Sequence, residues 1–399
     1  MYFIDTEPNL GFYKVYNMKV YLDNAATTPL AKEALDEMMP FLTDNFGNPS
    51  SIHSYGRKSR AAIEKARKIV AGGINASTAE VFFTSCGTES NNMVIKQAVK
   101  NLGVKRIISS PIEHHCVLHS VDMEAREGIK VDMVRIGHYG EVDYDHLETL
   151  LKESDEKTLV TLMHSNNEIG TLLDLEKVSA LCQQYGAYFH TDTVQTIGYF
   201  PFDVQKLKVD FLSGSGHKFH GPKGVGFVYI NSSVQISPFI DGGSQERNMR
   251  GGTENLYGIV GLGKALELAL ANMDTTRQYI TELKQYMKDK LDHELKDVSY
   301  NGYTDDRCHY KVLNVSVPLN TRTDLILFNL DIAGIYASGG SACTSGSEVG
   351  SHVLAGINAP ADRKSVRFSF SKHNTREEVD YVVEELKKMA NVKEMAGVK

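Results

Sequence analysis

The run Val209-Asp210-Phe211-Leu212-Ser213, followed by Gly214-Ser215-Gly216-His217-Lys218, decides how this chain folds. Apolar and aromatic residues stop at small polar ones, and a histidine and a lysine come next. Upstream, Ala187-Tyr188-Phe189-His190 ends the same way, in Thr191-Asp192. Runs of similar length and composition stand at Val81–Thr84, Arg106–Ser109, Val131–Ile136, Leu159–Met163 and Val225–Ile230, mostly separated by helix-length polar-apolar segments. That alternation predicts a mainly parallel sheet with helices on both faces. In such a sheet ligands bind beyond the carboxyl ends of the strands, so Asp192 and Lys218 become the first candidates for chemistry.

Moving outward, two long amphipathic patterns at Gly258–Ala271 and Thr275–Leu295 arrive back to back, and strand signals resume only at Val312–Val317. A domain boundary is expected near residue 272. Beyond it, strands (Val312–Val317, Val366–Phe370) mix with helices (Thr323–Leu330, Arg376–Met389), an α+β pattern. Met18 opens the run Met-Lys-Val-Tyr-Leu-Asp-Asn, which reads as a natural beginning, so residues 1–17 are expected to be an appended, non-native leader.

A chain of 399 residues with 42% hydrophobic residues can bury a large core. Its net charge of −7 offers no basic excess to grip a phosphate backbone, so no nucleic-acid partner is expected. The sequence has no stretch of roughly 18 apolar residues and no signal-peptide pattern, which points to a cytoplasmic location away from membranes. The five cysteines are scattered without a C-x-x-C pair, which argues against a disulfide framework or a zinc site. No metal is expected.

A carboxylate and a lysine at two strand rims suit pyridoxal phosphate, because a lysine forms its Schiff base and a carboxylate keeps the ring nitrogen protonated. Taken alone, Asp192 and Lys218 also read as a buried ion pair. Lys223 is a rival amine, but Gly-Pro-Lys-Gly is a turn signal and turn lysines are usually solvated. For the phosphate, Thr84-Ser85-Cys86-Gly87-Thr88-Glu89-Ser90 leaves a strand through a glycine into the helical pattern Asn91–Val99, with Thr88 placed to add a hydroxyl. The plainer reading there is a helix cap. Glu113-His114-His115 follows the strand Arg106–Ser109, and adjacent histidines do not share a face, so one at most reaches the same rim. The Gly/Ser-dense stretch Ser338–Gly350 reads as a mobile loop with Cys343 in its middle.

Together these residues resemble the cysteine desulfurases of the nitrogen-fixation and iron–sulfur-cluster type, class-V-aminotransferase-like enzymes of fold type I. The resemblance covers nearly all of the chain from Met18. It is carried by Tyr-Leu-Asp-Asn-Ala-Ala-Thr-Thr-Pro (21–29), Phe-Gly-Asn-Pro-Ser-Ser-Ile-His (46–53), Thr88-Glu89-Ser90-Asn91-Asn92, Glu113-His114 and Asn166-Asn167-Glu168-Ile169-Gly170. Asp192-Thr193-Val194-Gln195, Ser215-Gly216-His217-Lys218, Arg250-Gly251-Gly252-Thr253, Ser341-Ala342-Cys343-Thr344-Ser345 and Val366-Arg367-Phe368-Ser369 continue it in order.

What the resemblance implies is an α/β fold: a large cofactor-binding domain (33–272) with a seven-stranded, mostly parallel sheet, and a smaller α+β domain (1–32 and 273–399) carrying the cysteine loop. It implies Lys218 as the Schiff-base lysine, Asp192 as partner of the pyridine nitrogen, and His114 as the stacked imidazole and proton carrier. Gln195 and Asn167 contact the ring oxygen, Asn167 also facing substrate. Thr88, Ser215 and His217 hold the phosphate, joined by Thr253 from the other subunit of a homodimer. Arg367 clamps the substrate carboxylate, and Cys343 takes sulfur from L-cysteine as a persulfide while alanine leaves. A sulfur-acceptor protein such as an iron–sulfur scaffold is the implied partner.

Three departures from the common pattern stand near these contacts: Cys86-Gly87 where Gly-Ala is frequent, Thr193-Val194 where Ala-Thr is frequent, and Gly216 in place of a serine. Within the same fold, a selenocysteine lyase or an aminotransferase would keep Lys218 and Asp192 without requiring Cys343. From another class, a noncatalytic sulfur-transfer partner would keep only the fold.

Overall fold

The computed structural model describes residues 18–339 and 350–390. The expected leader 1–17 and Cys343 lie outside the described residues. A short strand β1 (Val20–Tyr21) precedes the main sheet, whose strands are β2 (Val81–Thr84), β3 (Arg106–Ser109), β4 (Lys130–Met133), β5 (Thr158–Thr161), β6 (Tyr188–Asp192), β7 (Phe211–Ser215) and β8 (Gly226–Ile230). They lie in the order β2-β8-β7-β6-β5-β3-β4. Only β8 runs against its neighbours.

Because successive side chains on a strand point to opposite faces, a strand covered on both sides must be apolar throughout. The sheet meets that demand residue by residue. Phe82, Ile107, Leu159, Phe211 and Val228 join one core cluster with helices Gly87–Leu102 and His115–Arg126. Their neighbours Phe83, Ile108, Val160, Leu212 and Phe227 join another, with helices Ser54–Gly73 and Leu256–Ala271. Each of these side chains is almost fully buried, which stabilises the fold by about 1.5–3 kcal/mol apiece.

The sheet floor is broken open at one rim. There the parallel strands end in Thr84, Ser109, Thr161, Asp192 and Ser215, and antiparallel β8 begins, at Gly226. A side chain at Gly226 would put its Cβ 2.6 Å from the Gly214 carbonyl and 2.8 Å from the Cys86 carbonyl carbon, so only glycine lets the turn after β2 close over this point.

After the helix Leu256–Ala271 the chain bends by 73° into Met273–Glu294. No single helix among the described residues is long and apolar enough to cross a membrane. A second sheet follows from β9 (Ser299–Asn301), β10 (Val312–Pro318) and β12 (Arg363–Ser369), with β10 central and antiparallel to both. Strand β11 (Ile335–Tyr336) pairs with β1 in parallel. The stretch after β1 then joins the two sheets: Asn24 Nδ2 donates to the Ser369 carbonyl (2.8 Å), and Thr28 N–H to the His217 carbonyl (3.0 Å).

The expected strands are all present, Val81–Thr84 and Arg106–Ser109 with the expected ends and the others with shifted ones. β6 and β7 each run two residues further than their apolar runs, through Thr191-Asp192 and Gly214-Ser215. These polar residues are buried, and they continue the ladder because the neighbouring strands continue beside them. Strands β1, β9 and β11 are two or three residues long, too short to announce a period.

Candidate active site

A cavity of about 240 Å³ opens over the polar rim. His114, Asn167, Asp192, Gln195, Lys218 and Arg367 all line it, as do Thr88, Ser215 and His217. Lys218 ends a single 3-10 turn after β7, and its Nζ donates to the carbonyls of Ala25 (2.7 Å) and Ala26 (2.8 Å). Its own carbonyl accepts from the Tyr199 hydroxyl at 2.9 Å, which fixes the turn. The rival Lys223 is exposed and does not line the cavity.

Asp192 is fixed from two sides, with Oδ2 accepting from Asn91 Nδ2 (2.7 Å) and Oδ1 from Val194 N–H (2.9 Å). Burial pushes its carboxyl above the ordinary value, although both hydrogen bonds and the Lys218 charge pull the other way. A cationic N–H placed against it would offset that burial cost.

His114 caps the helix His115–Arg126, and its Nδ1 accepts from the Cys116 backbone N–H at 3.2 Å. Since an amide N–H can only donate, Nδ1 is the acceptor and the neutral ring carries its proton on Nε2. Burial, followed by the nearby Lys218 charge, pushes this histidine down to about 4, so it is neutral at pH 7. The Cys116 thiol lies 3.0 Å from the same Nδ1 and is pushed up to about 12 by burial, so it stays protonated and serves as a second donor. His115 faces elsewhere, with its ring centroid 4.4 Å from that of His352.

For an anion, the helix Gly87–Leu102 offers the free N–H groups of its first turn, with Thr88 beside them. Ser215 and His217 border the same end of the cavity. Two of the departures meet here. A Cβ on Gly87 would fall 2.5 Å from Cγ2 of Val194, so the missing methyl at 87 is the space that Val194 fills. Gly216 is also hemmed in, with an added Cβ 3.1 Å from the Pro222 carbonyl.

Arg367 comes from β12 and is buried to 1% exposure. Its Nη1 donates to the Asn167 carbonyl (2.7 Å) and its Nη2 to Asp23 Oδ1 (2.6 Å), while its Nε has no partner among the described residues. Gln195 donates through Nε2 to the Ala25 carbonyl (2.9 Å), leaving its buried Oε1 without one.

Thr253 does not line this cavity. It is exposed beside a separate one of about 150 Å³, with Ser85, Arg250 and Glu254. Among the described residues before Cys343, Ser338 pairs with Arg367 through its backbone; after it come Ser351 and His352. His352 Nε2 meets the Glu113 carbonyl at 2.9 Å, one residue from His114. The described residues Ser338 and His352 are thus tied to residues at the cavity's rim.

Sequence reasoning missed Asn91, Cys116, Asp23 and the carbonyls of Ala25 and Ala26. Asn91 was within reach: it follows Thr88 by three residues, so both share a helix face.

Pyridoxal phosphate fits the residues present. The cavity joins a helix start suited to an anion, a buried carboxylate, a lysine amine, and buried polar atoms with no partner among the described residues: Gln195 Oε1, Asn91 Oδ1 and Arg367 Nε. A partnerless buried polar atom is costly, and a polar ligand in the cavity removes that cost.

Comparison with known proteins agrees. The family described as "Aminotransferase class-V" matches residues 20–382. "Cysteine desulfurase IscS" of Dictyoglomus turgidum is 44% identical over 375 residues, covering 93% of this chain and 94% of that protein. A solved "NifS-like protein" superposes with a TM-score of 0.86 at 36% identity, covering 93% of this chain and 99% of that one. A structure titled "SspA in complex with cysteine" does so with a TM-score of 0.77 at 32% identity, over 90% and 100% of the two chains. Sequence, fold and the polar rim therefore agree that the chain belongs to the class-V aminotransferase family, in its IscS- and NifS-like branch.

Proposed function

We propose that this protein is a pyridoxal-phosphate-dependent cysteine desulfurase, which converts L-cysteine to L-alanine and passes the sulfur to Cys343 as a persulfide. The observation that carries the reading is the convergence of the Lys218 amine, the Asp192 carboxylate and the Arg367 guanidinium on one cavity. The relatives named cysteine desulfurase support it.

When bound, pyridoxal phosphate supplies an electrophilic carbon for the substrate amine and an electron sink for the charge left by the α-proton. Thr88, Ser215 and His217 would hold its phosphate, Asp192 its ring nitrogen and Lys218 its reactive carbon, with His114, Asn167 and Gln195 the remaining residues to contact the ring. Arg367 orients the substrate through its carboxylate, as a planar fork of donors does best. The Lys218 amine would take the α-proton. The Cys343 thiolate attacks the substrate sulfur. An S–S bond forms, the C–S bond breaks with its electron pair going to carbon, and that carbon gains a proton to become alanine's methyl. Neutral His114 accepts the Cys343 proton, and the imidazolium so formed returns a proton to that carbon.

Further parts of the reading concern assembly. A homodimer in which Thr253 reaches the partner's phosphate is supported by Thr253 lying exposed outside this chain's own cavity. Phe46 (69%) and Ile52 (90%) also present exposed apolar surface that a partner subunit could cover. The large domain is taken as 33–272 and the small one as 1–32 with 273–399. The final sulfur acceptor is a protein such as an iron–sulfur scaffold, and the enzyme works in the cytoplasm.

Purified protein given L-cysteine and a reductant should release sulfide and alanine in equal amounts, and without reductant it should stop after loading sulfur on Cys343. Alanine formation that depends on an added keto acid would instead make it an aminotransferase. No turnover of any amino acid by cofactor-loaded protein would point to the noncatalytic role.

A further inference from the structure

The guanidinium of Arg367 already has a carboxylate on it. Asp23, two residues past β1, places Oδ1 2.6 Å from Nη2, while Nη1 is held by the Asn167 carbonyl and Nε is open. A bidentate carboxylate needs two parallel N–H groups of one fork. The open Nε supplies one of them, and the adjacent Nη2 is taken. The backbone of Asp23 is fixed, because it bridges to Ser369 and its carbonyl accepts from the Tyr21 hydroxyl at 3.2 Å.

We propose that Asp23 sets the enzyme's affinity for amino-acid carboxylates by holding the Arg367 arm that the substrate must take. This rests on the reading of Arg367 as the carboxylate clamp. Before substrate arrives, Asp23 balances a guanidinium that is 1% exposed. As substrate binds, a second carboxylate meets a charge already neutralised, and repulsion between the two anions weakens the complex. Asp23 is 21% exposed at its side chain, so it can turn out to water as the substrate takes over. On product release it returns, which helps alanine leave. Asp23 is thus a positioning residue that deliberately loosens its own site.

The test uses the cofactor-loaded enzyme and two probes that do not turn over: L-alanine, which has the carboxylate, and 2-aminopropane, which lacks it. Binding is read from the cofactor's absorbance and from the rise in Tm. Asp23→Asn should bind L-alanine about tenfold more tightly than wild type, which corresponds to ~1.4 kcal/mol, the scale of one charged hydrogen bond. L-Alanine should also raise its Tm further than it raises that of wild type. 2-Aminopropane should be unaffected by the substitution. Asp23→Glu, which keeps the charge, should stay near wild type, and Asp23→Ser provides a second neutral variant should the asparagine form fold poorly. General damage to the site cannot tighten a ligand. Equal or weaker alanine binding by the neutral variants, with Arg367→Gln weakening it, would overturn the role of Asp23 and leave the clamp standing. If Arg367→Gln leaves alanine binding unchanged, the clamp itself fails and the proposal goes with it.

Discussion

The two halves of the cavity are built on different principles. One half is the rim of the main sheet, where Asp192, Ser215, His217 and Lys218 sit on or just beyond strands buried on both faces. The other half is assembled from distant pieces: Asp23 and Arg367, which meet across 344 residues of sequence, and the carbonyls of Ala25 and Ala26, which bond Lys218 from 193 and 192 residues away. A strand's apolar period fixes where its end lies, so the first half follows from local pattern. The second depends on the docking of one sheet against another. The rim is a rigid floor, and the opposite wall holds only while that docking holds.

Substitutions can separate the two. The largest effect should come from the floor: Lys218→Ala should lose the covalent cofactor linkage and at least about 10³-fold in turnover. Borohydride reduction followed by peptide mapping checks it, and a label on Lys223 would contradict the assignment. Next, Cys343→Ser should keep cofactor and L-cysteine binding intact, because those use Lys218, Asp192 and Arg367, yet release no sulfide. Mass analysis of the wild type should find one added sulfur on the Cys343 peptide and none on that of Cys86.

A smaller effect probes packing within the floor. Gly87→Ala should destabilise the protein by about 1–3 kcal/mol, since its methyl lands on Val194. Val194→Ala in the same molecule should recover most of that loss in denaturant unfolding; simple additivity of the two would show that they do not share the space.

The mildest probe acts on the junction. His217, His220 and His309 bond respectively to Thr27, the Pro29 carbonyl and the Gln195 carbonyl. Burial pushes His217 and His220 down to about 4 and His309 well below its usual value. A histidine whose folded value is depressed contributes stability that is complete above its unfolded value, about 6.5, and is lost as pH falls towards the folded one. Glu113, Asp192 and Asp210 are pushed up by burial and act in the opposite sense. Histidines so depressed are the more numerous, since His114, His164 and His190 behave alike. Tm should therefore fall between pH 6.5 and about 4, and a Tm that is flat across that range would contradict the junction's histidines being buried.

What was legible in the sequence follows the same division. The runs ending at Asp192 and Lys218 carried both the strand and the candidate residue, and Lys223 was set aside by its turn. Period alone ended β6 before Thr191, because a polar pair at a ligand-facing rim looks like a loop. The pairing of Gly87 with Val194 was invisible, since two unusual residues 107 positions apart look like separate oddities until they touch. Asp23 stood in a quoted motif, but nothing local says that its carboxylate reaches Arg367.

The helix Gly87–Leu102 presents Thr88 to the cavity and hydrogen-bonds Asp192 through Asn91. Three residues of helix rise about 4.5 Å along its axis. The same turn would therefore be a fixed gauge between the two ends of the cofactor in the proposed site. Sliding or unwinding it to suit a longer or shorter ligand at one end would swing the other off Asp192 by about 100° per residue. Anion recognition and carboxylate alignment in this protein cannot drift apart independently, because a single rigid rod is the measure of both.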